Sequence, residues 1–258
     1  MSVLDAFRLD GQVAIVTGAS SGLGRTFALA LAEAGADVAI GARRADLLAD
    51  TRAEVEARGR RCLNLRTDVT SAADCEALVA GTVEQLGSVD ILVNNAGVGS
   101  VVPSHKEDIE DFKRVLDVHL IGAYQMAQAF ARACIAGEHG GVIVNVSSVM
   151  GLVATDLPQA AYISAKAALL GLTRDLAMQW SVRRGIRVNA LVPGLFTTGM
   201  TEHLTGNETS HQAALANIPL GRLGDPSELV GPLLLLTSKA GSYIAGSALV
   251  VDGGWTMR

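Results

Sequence analysis

Tyr162 and Lys166 are the residues of this sequence best suited to moving a proton. They lie four positions apart in Ala161–Arg183, a segment whose pattern predicts a helix, so their side chains share one face. A cation beside a phenol favours the phenolate and draws its pKa down from about 10. A tyrosine tuned in this way acts as a general acid or base near neutral pH. Ser148 stands 14 residues before Tyr162, where a strand is expected to end. A hydroxyl there can hydrogen-bond a substrate oxygen whose charge changes during hydride transfer. Spacing alone permits this chemistry without specifying it, because Tyr-x-x-x-Lys also arises by chance in helices.

The elements that must carry these groups are short apolar runs alternating with longer helical patterns. Val13–Thr17, Asp37–Gly41, Cys62–Arg66, Asp90–Asn94, Val142–Ser147, Arg187–Val192 and Ala248–Val251 read as strands. Leu23–Ala34, Ala45–Arg58, Ala72–Leu86, Ile109–Ala136, Ala161–Arg183 and Pro226–Thr237 read as helices. Right-handed βα crossovers then predict an α/β fold: one doubly wound Rossmann domain over residues 1–258. Its seven-stranded, mostly parallel sheet would carry helices on both faces. The 49% hydrophobic content is mainly Ala, Val, Leu and Ile, with aromatics at 4%, which suits strands covered on both sides. The rhythm breaks after Gly194. The irregular segment at about 195–217, rich in Thr and Gly, follows a strand end and is expected to be a substrate lid.

A second chemical signal lies in the first βα unit. The first strand runs into Gly18-Ala19-Ser20-Ser21-Gly22-Leu23-Gly24 and then a helix. Glycines let the backbone approach a pyrophosphate, and the helix offers unpaired N–H groups and the positive end of its dipole. The strand–turn–helix context is the one a dinucleotide loop requires. No Gly-Lys-Ser/Thr follows, which excludes the phosphate loop of nucleotide hydrolases. Coenzyme choice is set where the second strand ends: a carboxylate there accepts from a ribose 2′-hydroxyl, and an Arg accommodates a 2′-phosphate. Here Arg43 and Arg44 follow the strand and no carboxylate ends it, which favours NADP(H), with NAD(H) as the alternative. The competing reading is that both arginines only begin a solvated helix. Asp68 and Val69, after the third strand, are placed to hold an adenine edge.

Other classes are disfavoured. A formal charge of -5 without a basic block gives no footprint for nucleic acid. Cys62, Cys75 and Cys134 lack metal-ligand spacing and read as buried, idle thiols, so no metal is expected. Met1–Gln12 carries Asp5, Arg8 and Asp10 and no apolar signal core, and no run reaches the length of a membrane span. A cytoplasmic protein acting on a small molecule is the expectation.

The ordered set of motifs resembles the short-chain dehydrogenase/reductase family over roughly Leu9 to Trp255. The markers are Thr17–Gly24, Asp68-Val69, Asn94-Asn95-Ala96-Gly97, Ser148, Tyr162-x-x-x-Lys166, Pro193-Gly194 and Val251-Asp252-Gly253-Gly254. The branch of about 250 residues, with 3-oxoacyl-carrier-protein reductases and sugar or polyol dehydrogenases, is the most similar. The resemblance implies hydride transfer between NADP(H) or NAD(H) and a carbonyl or secondary alcohol. It implies that Gly18, Ser20, Ser21, Gly22, Leu23 and Gly24 cradle the coenzyme phosphates. Asn94, Asn95, Ala96 and Gly97 would line the stretch toward the nicotinamide, bordered by Pro193, Gly194 and Thr198. Tyr162 would exchange the proton, Lys166 would bind the nicotinamide ribose and lower the Tyr162 pKa, and Ser148 would orient the substrate oxygen. It also implies a homotetramer, consistent with the apolar flanks expected on Ile109–Ala136 and Ala161–Arg183. One departure concerns catalysis: His119 stands where the family usually has an Asn whose backbone helps hold a water. Either the change is tolerated, or His119 joins the proton path and titrates near neutrality. Ser21 occupies a loop position where many NADP-preferring relatives carry Arg or Lys, which keeps NAD open. A non-catalytic coenzyme-binding protein and a lyase or epimerase are the alternative functions. The substrate would be bordered by Val98–Pro103, Val149–Leu157 and the lid, with its identity open.

Overall fold

The computed structural model describes residues 2–199, 201, 212 and 214–257. Its centre is a seven-stranded sheet: β1 (Val13–Thr17), β2 (Asp37–Ala42), β3 (Cys62–Arg66), β4 (Ile91–Asn94), β5 (Gly141–Val146), β6 (Ile186–Pro193) and β7 (Ala248–Val251). The order across the sheet is β3-β2-β1-β4-β5-β6-β7, and every pairing is parallel rather than most of them. Strand order reverses between β1 and β4. An open α/β sheet leaves its binding crevice outside the strand C-termini at such a point. Seven strands fall within a residue or so of the apolar runs.

The sheet is sandwiched because its strands send alternate residues to opposite faces. Ala14, Val16, Val38, Ile40, Ile91, Val93 and Val144 pack with Phe27 and Leu31 of α1 (Gly22–Glu33) and with Leu48 and Val55 of α2 (Ala45–Glu56). Their neighbours Val13, Ile15, Ala39, Leu92 and Ile143 pack on the other side. There they meet Leu78 of α3 (Ala72–Leu86), and Met126 and Phe130 of the helix preceding β5. Leu176 and Ala177 of α6 (Ala160–Arg184) complete that layer. Phe27 and Phe130 are fully buried, and burying a side chain of that size stabilises by roughly 1.5–3 kcal/mol.

The helix expected over Ile109–Ala136 is interrupted by one wide turn. It runs as α4 (Ile109–Leu116), the turn Asp117–Ile121, and α5 (Gly122–Ala136). Gly122 N–H donates to the Asp117 carbonyl, five residues back, so the chain accommodates an extra residue there. His119 sits in that turn and is buried. The helix expected over Pro226–Thr237 opens with the tight turn Pro226–Leu229 and continues as α7 (Val230–Thr237). Most of the expected lid at about 195–217 lies outside the described residues. Its first residues are tied to Gly224: Thr197 N–H donates to the Gly224 carbonyl and Gly224 N–H to the Leu195 carbonyl, both at 2.9 Å. Among the described residues, no helix is long and apolar enough to cross a membrane.

Candidate active site

The glycine loop is shaped by close approach. Gly18 has φ +69°, and a Cβ there would stand 2.8 Å from Ala96 Cα. A Cβ on Gly24 would strike the Gly18 carbonyl oxygen, so helix α1 meets the strand only with glycine at that position. The Asn94–Gly97 segment is laced to this loop. Thr17 Oγ1 accepts from the N–H groups of Asn95 (3.0 Å) and Ala96 (3.1 Å), and Asn95 Nδ2 donates to the Thr17 carbonyl (3.0 Å). Thr17 and Thr51, whose hydroxyl donates to the Ala19 carbonyl at 3.0 Å, hold the loop's shape. Thr17 opens the marker Thr17–Gly24, whereas Thr51 was not singled out in the sequence, because a lone threonine carries no motif signal.

Arg44 lies across the loop. Its Nη2 donates to Ser20 Oγ at 3.0 Å and to Ser21 Oγ at 2.7 Å. Arg43 is exposed beside it. A groove of about 600 Å³ opens along Ser20, Ser21 and Gly22 and is bounded by Arg25, Asp50 and Glu54. Val69 is buried and Asp68 half-buried at the end of β3, and Asp68 Oδ1 accepts from the Thr70 N–H at 3.1 Å. Pro193 ends β6, and Gly194 packs against Asp252, where a Cβ would approach its Cα to 2.7 Å. Thr198 lies against the loop, within reach of a side chain placed on Gly22, and its N–H donates to Thr201 Oγ1 at 2.9 Å. Leu23 is half-buried in the first turn of α1. Gly-rich backbone, a helix N-terminus and a guanidinium therefore face one crevice, and these are groups that hold a dinucleotide's phosphates.

The proton-transfer candidates converge beyond β5. Ser148 follows that strand, and its Oγ accepts from Met150 N–H at 3.2 Å. The Ser148 hydroxyl is near enough to the Tyr162 phenol to draw its pKa down. Lys166 is buried, and its Nζ lies 5.6 Å from the centre of the Tyr162 ring. The expected lowering of the Tyr162 pKa by Lys166 is not seen. Nζ donates to the Val146 carbonyl at 2.7 Å. Burial pushes the Tyr162 phenol up, against the smaller downward pull of the Ser148 bond. Burial alone pushes Lys166 down to about 7.

His119 also belongs to this cluster. Its ring stands edge-on to Tyr162 with centroids 5.2 Å apart. Its Nε2 lies 2.7 Å from the Val98 carbonyl oxygen. Gly97 makes room for it, since a Cβ there would approach His119 Cε1 to 2.6 Å. Burial first, and the Lys166 charge second, push His119 down to about 3, with the Val98 bond opposing. Burial thus favours a neutral imidazole, which supports the tolerated substitution over the alternative that His119 titrates near neutrality.

A phenol, an ammonium and a hydroxyl beside a dinucleotide cradle are the parts for carbonyl reduction and alcohol oxidation. A family profile described as enoyl-(acyl-carrier-protein) reductase matches residues 18–256. The chain belongs to the short-chain dehydrogenase/reductase family and is an oxidoreductase. It is 37% identical over 256 residues to 2-dehydro-3-deoxy-D-gluconate 5-dehydrogenase of Escherichia coli, covering 99% of this chain and 100% of that protein. It is 38% identical to galactitol 2-dehydrogenase (L-tagatose-forming) of Cereibacter sphaeroides, with 100% of each chain covered. Among solved structures, gluconate 5-dehydrogenase from Burkholderia cenocepacia, in complex with NADP and tartrate, superposes with a TM-score of 0.94. The two are 35% identical, with 100% of each chain covered.

Proposed function

We propose that this chain is an NADP(H)-dependent dehydrogenase that interconverts a secondary alcohol and a ketone on a small, polyhydroxylated substrate such as a sugar acid or polyol. The observation that carries the reading is the convergence of Ser148, Tyr162 and Lys166 next to the glycine loop. NADP(H) is favoured over NAD(H) by Arg44, held over the loop by Ser20 and Ser21. The relatives named for sugar acids and alditols support the substrate class.

Gly18, Gly22, Gly24 and the N–H groups opening α1 hold the coenzyme phosphates, while Arg43 and Arg44 face the 2′-phosphate. Ser20, Ser21 and Leu23 shape that wall. Asp68 and Val69 border the adenine. Asn95, Ala96, Gly97, Pro193, Gly194 and Thr198 line the path to the reacting end. When bound, the coenzyme supplies or accepts the hydride. Tyr162 donates its phenolic proton to the carbonyl oxygen in reduction and withdraws it from the hydroxyl in oxidation. Ser148 donates to the same oxygen as its charge grows, an electrostatic role of the oxyanion kind. Lys166, with its Nζ 5.6 Å from the centre of the Tyr162 ring, would bind the nicotinamide ribose. His119 packs against Tyr162 and fixes the ring's position.

Three further readings belong to this proposal. The segment at about 195–217, closed at its base by the Leu195–Gly224 contacts, covers the substrate. The chain assembles as a homotetramer, supported by exposed Met178 and Val182 on α6 and by Ile121, Tyr124 and Ile135 along α5 and the turn before it. It works in the cytoplasm, in keeping with three free, buried thiols. The test is a panel of ketoses, keto-sugar acids, polyols and 3-oxoacyl thioesters, followed by coenzyme absorbance. Turnover of the sugar-derived members with NADP(H) is expected. Exclusive turnover of thioesters, or none with any member, would overturn the reading.

A further inference from the structure

Ser148 and Tyr162 stand on different elements, because Ser148 follows β5 and Tyr162 lies in the first turn of α6. Three contacts join these elements, and they bracket Ser148 in the chain. Ser147 Oγ donates to the Lys166 carbonyl at 2.9 Å. Lys166 Nζ returns to the Val146 carbonyl at 2.7 Å. Gly151 ends the tight turn Val149–Gly151 and lies on the Lys166–Ala167 peptide. A Cβ on Gly151 would stand 2.8 Å from both the carbonyl carbon and the carbonyl oxygen of Lys166. One residue of α6 is thus gripped at its backbone and at its side-chain tip by residues on either side of Ser148.

The Ser147 bond is an addition to the helix. An interior helix carbonyl already accepts from the N–H four residues on, so the Ser147 hydroxyl takes its second lone pair. Ser147 is buried, and its own N–H continues the ladder to the Leu191 carbonyl of β6 at 2.8 Å. Both ends of the residue are therefore committed. A second rung lies further along: Asn145 Nδ2 donates to Thr173 Oγ1 at 2.9 Å. Asn145 and Ser147 are two residues apart on an extended chain and share one side of the sheet. Lys166 and Thr173 are two helical turns apart and share one face of α6. Two rungs between a strand and a helix set the helix's rotation about its own axis, and the Ser147 rung is the one nearer Tyr162, a single turn away.

We propose that Ser147 is a positioning residue for catalysis: through the Lys166 carbonyl it sets the rotation of α6, and with it the placement of the Tyr162 phenol relative to Ser148 Oγ. Gly151 serves the same end, since only a residue without a side chain lets the turn that carries Ser148 lie flat on α6. This role rests on the reading that Ser148 and Tyr162 share one substrate oxygen. Its magnitude follows from helix geometry. Side chains reach about 5–6 Å from a helix axis, so a rotation of ~10° moves a side-chain tip by roughly 1 Å. A misplacement of about 1 Å at a reacting group can lower a rate by up to about 10²-fold. Loss of one rung, with the Asn145–Thr173 rung still in place, should fall short of that and cost about tenfold.

A double-mutant cycle separates positioning from support of the fold. Ser147→Ala is made in the wild-type chain and in Ser148→Ala. Single-turnover reduction by NADPH is followed with the ketose or keto-sugar acid that the wild type reduces fastest, and NADPH affinity is read by quenching of tryptophan fluorescence. In the wild-type background Ser147→Ala should lower the single-turnover rate about tenfold, with NADPH affinity within about twofold. In the Ser148→Ala background the same change should cost less than about twofold, because a substrate oxygen with one protein partner can follow the phenol. A purely structural role for Ser147 would lower the melting temperature equally in both backgrounds and give no such dependence of the rate on Ser148. Equal rate losses in the two backgrounds, no loss in either, or a loss carried by NADPH affinity would overturn the proposal. Ser148→Ala turning over at the wild-type rate would overturn the shared-oxygen reading together with it.

Discussion

Replacing Arg44 with alanine tests how the coenzyme is chosen. The Arg44 guanidinium is held over the glycine loop by the hydroxyls of Ser20 and Ser21, at 3.0 and 2.7 Å, so little reorganisation stands between it and a 2′-phosphate. A hydrogen bond between charged groups contributes about 1.5–3 kcal/mol. Arg44 is exposed, and solvent screening brings the figure toward the low end, about 1.5 kcal/mol. That corresponds to roughly tenfold in affinity. Steady-state kinetics with each coenzyme read the effect separately. For Arg44→Ala, kcat/KM with NADP⁺ should fall about tenfold while the value with NAD⁺ stays within about twofold. Arg44→Asp should go further and make NAD⁺ the better coenzyme, because a carboxylate repels the 2′-phosphate and accepts from a 2′-hydroxyl. Equal losses with both coenzymes would mean that Arg44 only supports the loop. No loss with either would remove it from the site.

Three other outcomes are expected. Gly24→Ala forces a methyl group against the Gly18 carbonyl, so it should abolish coenzyme binding, read by quenching of tryptophan fluorescence, and lower the melting temperature. Phe130→Ala opens a hole under the sheet and should destabilise the fold by about 3–5 kcal/mol in urea titration, with the surviving folded enzyme still active. His119 makes stability pH-dependent: its pKa is held at about 3 in the folded chain against 6.5 when unfolded. The unfolded chain therefore binds the extra proton between those values, and stability is lost as pH falls below about 6.5. At pH 5 this amounts to ~2 kcal/mol. His119→Asn should lose less stability than the wild type between pH 7 and pH 5 in urea titration.

The strands were legible because each is a short apolar run between turn residues, and a parallel sheet covered on both faces leaves that pattern undisguised. Gly18–Gly24 was legible for a related reason, since close backbone approach tolerates only glycine. The wide turn at Asp117–Ile121 was hidden: an inserted residue leaves the apolar periodicity of Ile109–Ala136 nearly unchanged, yet it turns His119 inward. The partner of Lys166 was hidden as well. Helical spacing brings Lys166 to the face of Tyr162, but the Val146 carbonyl that accepts its hydrogen bond comes from a strand twenty residues away, and no local pattern encodes that bond. Asn94 read as part of a coenzyme motif, whereas its amide ties β4 to β5 and α5. The lid expectation rested on composition and position alone, which carry no contact information.

The central claim is that Tyr162 is the group that exchanges a proton with the substrate oxygen. Its most direct test is Tyr162→Phe, which removes one oxygen and keeps the ring that packs on His119. With NADPH and a ketone substrate that the wild type reduces, the account predicts coenzyme binding close to wild type and a single-turnover rate lower by about 10²–10⁴. A variant that binds coenzyme and reduces the ketone at the wild-type rate would contradict it.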